Sequence, residues 1–334
     1  MTLHRTLEDL VGPRSGLLCA YRFAGGIAAA SAGPEFDPGP DEGAWVWSHL
    51  ALGDLRSKLL LDKVEGLPAD ARTLFVRREA RVHIEQGDGW VYGVLPELER
   101  DLAGRPQGEG RLVFALDATR LITGRLHALR AVDDLRHEVD GGLAFESPAA
   151  ALARLIEHYV DRVEQIFEDL GASLATVEDY VLTEPQDLAD TGLSPVRRSL
   201  SRYRREVQAL RTALMRGYAG RGARRVELLA EWLPDLIAAV EDADREAGGL
   251  QERARLLHEE VDTLITNATN RAMRTLTVIS TLLIPPTLVV GAWGMNVEGI
   301  PFSHSPTGFL AVSVICVAMV GGALWMLRRM GMLP

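Results

Sequence analysis

The sequence predicts an α/β cytoplasmic domain that continues through a long helical stalk into two C-terminal transmembrane helices. Three observations support this prediction. Two long uncharged apolar runs lie close to the end of the chain, and almost all the charge precedes them. A heptad-like repeat of apolar residues, typical of a long packed helix, leads into the first run.

The two apolar runs have the length of membrane-spanning helices. Leu276 to Trp293 contains 18 residues and Phe309 to Leu327 contains 19, and neither run holds a charged side chain. A helix of about 20 apolar residues crosses the roughly 30 Å hydrocarbon core of a bilayer. The alternative is a pair of buried core helices, but two adjacent uncharged runs of this length favour membrane spans.

Arginines around the spans predict their orientation. Arg271 and Arg274 precede the first span, Arg328 and Arg329 follow the second, and the loop 294–308 has no Lys or Arg. Positively charged flanks stay on the cytoplasmic side of a membrane. We therefore expect the loop to be external and both chain termini to be cytoplasmic.

Charge and composition exclude several classes of protein. The chain carries a formal charge of −10 and residues 266–334 carry +3, so residues 1–265 carry −13. Such an acidic body argues against nucleic acid as a partner. The two cysteines, Cys19 and Cys316, lie in unlike parts of the chain, which argues against a disulfide framework. No phosphate-binding loop, zinc-protease or serine-hydrolase motif is present, so we expect no enzyme.

The soluble part divides into a mixed region, residues 1–126, and a helical region, residues 127–248. A helix is predicted at Leu50–Leu61, and further helices start at Ser147-Pro148 and Ser194-Pro195. Another is expected from Val226 to Asp244. The predicted strands are Leu17–Phe23, Ala44–His49, Thr73–Arg77, Arg81–Glu85, Trp90–Leu95, Arg111–Leu116 and Leu121–Leu126.

The stalk is predicted over residues 249–293, where one helix continues into the first span. Its seam repeats at steps of four and three, in Leu250, Ala254, Leu257, Val261, Leu264 and Ala268. An ordinary amphipathic helix within one subunit is the alternative. Gly248-Gly249 is predicted to mark either the helix start or a kink.

Small and polar residues line one face of the first span and the turn before it. They are Asn270, Met273, Thr277, Ser280, Ile284, Thr287 and Gly291. At helical spacing they occupy about a third of the circumference. Such a stripe indicates either helix–helix packing or a water-lined path. Pro285 and Pro286 lack the amide hydrogen, which leaves carbonyls one turn earlier open to other partners, although a simple kink would serve equally.

Several motifs in and directly after the first span resemble those of a known family. The chain has Asn-x-x-Met-x-x-Leu-Thr at 270–277, Pro-x-Thr at 285–287 and Gly294-Met295-Asn296 at the outer end of the span. This arrangement, over residues 267–330, is similar to the CorA-type divalent cation transporters. Gly299-Ile300-Pro301 shortly after the Asn is similar to the zinc-transporting ZntB-like branch. The chain departs from the family in having Pro286, Val297 and only two basic residues at its C-terminal end.

The resemblance implies a funnel-shaped homopentamer in the bacterial inner membrane, with the first span of each subunit lining one central pore. It implies transport of Zn²⁺, with proton coupling as an option and with Mg²⁺ or Co²⁺ as the alternative cargo, and no bound cofactor. The rival from another class is a membrane-anchored sensor or scaffold without flux. An anchor, however, needs neither the polar stripe nor the tripeptide.

Within this picture Asn296 is the first candidate for ion selection, because its carboxamide can hydrogen-bond the water shell of a cation. Gly294 and Met295 complete the selectivity loop, and Glu298 would form an acidic ring or be a solvated loop residue. Met273 and Ile284 are the expected constrictions. Three weaker metal candidates are His304 in the loop and the pair His258 and Asp262, for which a solvated helix face is the simpler interpretation.

Overall fold

The computed structural model describes residues 16–30, 43–77, 81–100, 106–183, 192–219, 227–295 and 307–331. The chain forms two compact units. The first comprises Met1–Asp179 and Gly192–Ala254, and the second comprises Tyr180–Thr191 and Arg255–Pro334.

Seven strands of the first unit form one sheet in the order β2-β1-β3-β7-β6-β5-β4. The strands are β1 Leu17–Ala24, β2 Ile27–Ala30, β3 Trp45–Ala51, β4 His83–Gly87, β5 Trp90–Arg100, β6 Pro106–Leu116 and β7 Arg120–Arg125. Neighbouring strands are antiparallel except β3 and β7, which are parallel. Because a parallel pair needs a crossover, the chain passes through two helices and β4 to β6 between them.

Both faces of the sheet are covered. On one face, helices α1, Leu55–Leu61, and α2, Ala69–Val76, pack their apolar residues against the sheet. The other face lies against α3, Arg130–Asp140, and against two longer helices, Pro148–Thr183 and Leu193–Ala219. The core therefore has the layered helix–sheet–helix form of an α/β domain.

Two expectations for the first region are wrong. The predicted strand Thr73–Arg77 lies mostly within helix α2, because Ala71 and Phe75 stand four residues apart and are both buried on one helix face. The helix predicted from Leu50 begins only at Leu55. Leu50 itself belongs to β3, and the Asp54 carboxylate caps the helix by accepting a hydrogen bond from the backbone N–H of Arg56 at 2.9 Å.

The helical region follows the predicted starts. Helix α4, Pro148–Thr183, is capped by Ser147, whose hydroxyl oxygen accepts from the backbone N–H of Ala150 at 3.1 Å. Helix α5 runs from Leu193 to Ala219. Both observations confirm the helix starts expected from the two Ser-Pro pairs.

The long helix begins earlier than predicted. Helix α6 is a single helix of 61 residues, Leu233–Trp293, with Pro234 in its first turn, where the missing amide hydrogen costs nothing. Gly248 and Gly249 lie inside it. A Cβ on Gly248 would stand 3.2 Å from Nη2 of Arg204, whose Nε donates to Asp244 at 3.0 Å. The missing side chain of Gly248 thus leaves space for the Arg204–Asp244 ion pair, and the helix continues through this position.

The seam of α6 is buried within the single chain over part of its length. Ala254, Leu257 and Val261 are 1%, 5% and 5% exposed, whereas Ala268 is exposed. Up to Val261 the seam therefore fits the alternative interpretation, an amphipathic helix packed within one subunit.

The second unit contains the C-terminal part of α6 and helix α7, Gly308–Arg329. In the described part of the chain, α6 and α7 are the two helices long and apolar enough to cross a membrane. The most apolar 18-residue stretch of α6 contains no buried residue. In α7, 6% of the corresponding stretch is buried. Core helices of a soluble domain would be buried, so this exposure favours the membrane interpretation.

Candidate functional site: a polar stripe on the first span

The predicted stripe lies on the uncovered side of α6. Met273 and Ile284 are 63% and 64% exposed, and Asn270, Thr277, Thr287 and Gly291 are exposed as well. Ser280 is the member of the stripe that is half-buried. The structure therefore places the seven stripe residues along one helix, with most of their surface available to another molecule or to water.

The half-buried residues of the span lie mainly on its opposite side. They include Val278, Leu282, Pro286, Val289 and Trp293. At 100° per residue these five positions fall within about 80° of each other and centre opposite the stripe. The span thus has two unlike sides, one apolar and partly covered, the other carrying the hydroxyls, the amide and the glycine.

The threonine hydroxyls of the stripe are oriented by the helix itself. Oγ1 of Thr277 donates to the carbonyl oxygen of Met273 at 2.9 Å, and Oγ1 of Thr287 donates to that of Leu283 at 2.6 Å. Because each hydroxyl hydrogen is used, the oxygen presents acceptor lone pairs outward. Water bound to a cation points its hydrogens away from the ion, so outward acceptors suit a hydrated cation.

The two prolines leave α6 continuous. Pro285 and Pro286 lie inside the helix, which ends at Trp293 as predicted. Beyond it, the backbone N–H of Gly294 donates to the carbonyl of Val290 at 2.9 Å. The segment predicted to be the selectivity loop therefore starts directly at the end of the span. Asn296, Glu298 and His304 lie outside the described residues.

An apolar groove of about 510 Å³ follows the C-terminal half of the stripe. It is lined by Leu283, Ile284, Thr287, Leu288, Gly291, Ala292 and Met295. The sequence pattern indicated Ile284, Thr287, Gly291 and Met295 but not Leu283, Leu288 and Ala292. These three are ordinary apolar span residues, and only the structure shows that they border the stripe.

His258 and Asp262 lie one turn apart on α6, and their side chains are close together. Nε2 of His258 lies 3.7 Å from Oδ2 of Asp262, and the two side chains are 45% and 64% exposed. Among the described residues there is no group of three or more His, Cys, Asp or Glu side chains that could hold a metal. Two exposed donors alone fall short of the three or four protein ligands of a zinc site.

Basic groups mark the other end of the spans. The Arg274 guanidinium donates to the backbone carbonyl of Gly331, and the Arg329 guanidinium lies 5.4 Å from the centre of the Trp325 ring. Arginine and tryptophan at one end of a hairpin are typical of a membrane interface. This end is the one predicted to face the cytoplasm.

Acidic residues of the first unit crowd each other. Burial, followed by the nearby carboxylates of Asp161, Glu246 and Glu168, raises the pKa of Glu164. Burial and the carboxylate of Glu168 likewise raise the pKa of Glu246. The local field on this part of α4 and α6 is negative, as the charge of the sequence predicts, and it attracts cations without selecting one.

The fold and the site together define a membrane protein with a soluble α/β domain, a long helix and two candidate C-terminal membrane helices. The model of the family described as CorA-like Mg²⁺ transporter protein matches residues 42–329. The chain therefore belongs to this family. As a family member it is a divalent cation transporter and not an enzyme, which confirms both the resemblance inferred from residues 267–330 and the expectation from the missing enzyme motifs.

Two curated relatives extend over most of the chain. The zinc transport protein ZntB of Pectobacterium carotovorum subsp. carotovorum (strain PC1) is 26% identical over 329 residues, which cover 94% of this chain and 95% of the relative. The divalent cation transporter CmaX of Pseudomonas aeruginosa is 28% identical over 298 residues, covering 87% and 84%.

Solved structures show the same fold. The full-length CmaX protein superposes with a TM-score of 0.76 at 24% identity, covering 95% of this chain and 98% of that chain. The CorA magnesium transporter from Methanocaldococcus jannaschii superposes with a TM-score of 0.73 at 16% identity, covering 95% and 99%. The predicted CorA-like fold of the single chain is thereby confirmed: a soluble α/β domain, a long helix and two candidate C-terminal membrane helices.

Proposed function

We propose that this chain carries divalent metal cations, Zn²⁺ foremost, across the bacterial inner membrane through a central pore lined by α6. The observation that supports this most is the exposed polar stripe on an otherwise apolar span. In lipid, exposed polar groups are unfavourable, so this side of the helix needs other helices or water beside it. A path for ions supplies water.

The pore requires several copies, because two helices cannot enclose a channel. We propose a homopentamer in which the stripes of five α6 helices face one axis and the apolar sides face outward. A closed ring of identical subunits uses one repeated head-to-tail contact, and the groove beside Leu288 and Ala292 offers an apolar surface for it. The soluble domain, residues 1–248 in the predicted division, then lies on the cytoplasmic side.

Selection is assigned to Asn296 at the outer mouth. Five carboxamide oxygens around an axis accept hydrogen bonds from the water shell of an ion, so the ion passes without being stripped. The Thr277 and Thr287 hydroxyl oxygens continue the line of acceptors down the pore. Met273 and Ile284 provide apolar constrictions that close by excluding water.

Zinc is favoured over magnesium by the loop and by the relatives. Gly299-Ile300-Pro301 resembles the zinc branch, and a relative that covers 94% of this chain is named a zinc transport protein. Magnesium remains the alternative for two reasons. The family is described as CorA-like Mg²⁺ transporters, and Glu298 would add negative charge at the mouth. Neither span contains a carboxylate, so any proton coupling would need a relay outside the spans.

The proposal is tested by flux in proteoliposomes loaded with a metal-sensitive dye. Uptake of Zn²⁺, Mg²⁺, Co²⁺ and Ni²⁺ is measured separately, with and without a pH gradient. We expect Zn²⁺ uptake well above that of empty liposomes, with the other ions slower. Faster Mg²⁺ uptake would move the assignment to the magnesium alternative, and no uptake of any of the four ions would favour a membrane-anchored scaffold.

A further inference from the structure

A second charged feature, unrelated to the pore, lies on the N-terminal part of helix α5. It is a surface groove of about 720 Å³ whose lining is one face of that helix: Ser194, Arg197, Arg198, Ser201, Arg202 and Arg205. We call this set the arginine face. The spacing of three and four residues explains why the side chains share one side.

The arginine face differs from the other arginines of the same helix. Nε of Arg204 donates to Oδ1 of Asp244 at 3.0 Å, and Nη2 of Arg211 lies 2.7 Å from Oε1 of Glu241. In contrast, Arg197, Arg198 and Arg205 are exposed and make no ion pair with any described residue. The sequence gives no sign of this division, because paired and unpaired arginines alternate along one helix.

Among the described residues, no carboxylate forms an ion pair with Arg197, Arg198 or Arg205, so no described carboxylate neutralises these three guanidinium groups. The unit around them is strongly acidic, so carboxylates for pairing are abundant elsewhere on its surface. A cluster that keeps its charge under these conditions fits an anion that arrives from outside.

The start of α5 adds to the positive potential. The helix begins at Leu193, and the backbone N–H groups of its first turn have no partner within the helix. Together with the helix dipole they favour an anion next to Ser194, at one end of the groove. The Arg202 guanidinium lies 4.8 Å from the centre of the Tyr203 ring and donates to the Tyr203 hydroxyl at 3.2 Å, which holds it in place.

We infer that the arginine face binds a phosphate-bearing anion. Guanidinium groups form paired, charge-assisted hydrogen bonds with phosphate oxygens, and the serine hydroxyls add neutral donors. The groove presents several cations in a row along one helix face, which fits two or more phosphate charges better than one. Such phosphate groups come either from anionic phospholipids or from soluble polyphosphates.

The test uses the full-length protein in nanodiscs and follows hydrogen exchange in peptides covering 193–205. One arm adds inorganic tripolyphosphate to nanodiscs of neutral phosphatidylcholine. The other arm replaces a third of the lipid by phosphatidylglycerol. The variant is Arg197→Gln/Arg198→Gln/Arg205→Gln. The control variant, Arg216→Gln/Arg245→Gln/Arg255→Gln, removes the same charge at exposed arginines outside the groove.

Protection of 193–205 in either arm, with an apparent affinity weakened at least about tenfold in the groove variant but not in the control, is the expected result. The arm of the experiment in which residues 193–205 become protected from exchange identifies the source of the phosphate. Absence of protection in both arms overturns the inference, as does an equal loss in both variants, which would indicate a diffuse charge effect. Protection without added anion that disappears together with the oligomer would overturn it too, because a second copy would then cover this face.

Discussion

Replacing Asn296 by alanine is expected to reduce zinc uptake in proteoliposomes to the level of empty liposomes. The methyl group offers no hydrogen-bond acceptor, so five subunits would lose the ring of oxygens that holds the ion's water shell at the mouth. An ion would then lack a ring of acceptors for its hydration water at the point where it enters the pore. Asn296 follows Trp293, the last residue of α6, by three positions, and the change replaces one small side chain by a smaller one, so we expect folding to persist.

The control for this experiment is Thr307→Ala, which removes an uncharged polar side chain at the other end of the same loop, next to the start of α7. We expect its flux to remain close to that of the unmodified protein. Both variants are first checked by size-exclusion chromatography and by particle symmetry in electron microscopy. Normal flux through an intact Asn296→Ala oligomer would remove Asn296 from the mechanism.

The stability of the soluble domain is expected to fall as the pH rises, because of Glu97. This residue of β5 is 3% exposed, and burial raises the pKa of its carboxyl to about 8, against an ordinary value of 4.5. Its Oε1 accepts from the backbone N–H of Leu98 at 2.8 Å, and the backbone N–H of Ala131 in α3 also bonds to it. These bonds oppose the upward change in pKa, while Asp134 and Asp133 add to it.

The sign follows from proton linkage. Near neutral pH the folded state keeps the Glu97 proton that the unfolded state has lost. The stabilisation from this proton is fully present below about pH 4.5 and disappears as the pH rises through about 8. Each tenfold difference in proton affinity between the two states is worth roughly 1.4 kcal/mol, so the loss amounts to several kcal/mol. That is a large part of the stability of a typical domain.

Glu97→Gln is expected to remove this dependence, because a neutral amide keeps the acceptor oxygen and never ionises. Thermal unfolding of the full-length protein in detergent, followed by tryptophan fluorescence from pH 6 to pH 9, should show a falling midpoint for the unmodified protein and a nearly flat one for the variant. Glu99→Gln, two residues along the same strand and partly exposed, serves as the control. Parallel curves for all three proteins would refute the role of Glu97.

The membrane part of this molecule could be predicted from the sequence because its information is local. An uncharged run of 18 residues predicts a span, and helical spacing predicts which residues share a face. The arginines at the flanks predict an orientation, which stays a prediction. Six of the seven stripe residues between Asn270 and Gly291 are exposed, and Ser280 is half-buried. No packing partner is needed to reach these conclusions.

The structure of the soluble part could not be predicted where the burial of a residue depends on residues far away in the sequence. Thr73–Val76 has the composition of a strand, yet the contact of Ala71 and Phe75 with the sheet makes it helical. Gly248-Gly249 has the composition of a helix break, yet Arg204 from α5 occupies the space beside Gly248. The burial of Glu97 and the ion pair of Arg204 with Asp244 likewise depend on tertiary neighbours.

The central claim is that the stripe face of α6 lines the cation path, and thiol accessibility tests it most directly. Cys19 and Cys316 are first replaced by serine, and Thr287→Cys or Val289→Cys is then introduced, on the stripe side and on the opposite side of the same turn. A charged, water-soluble thiol reagent is added during zinc uptake. We predict that uptake stops in Thr287→Cys and continues in Val289→Cys. Block of Val289→Cys with Thr287→Cys unaffected, or no block in either active variant, would contradict a pore along this face.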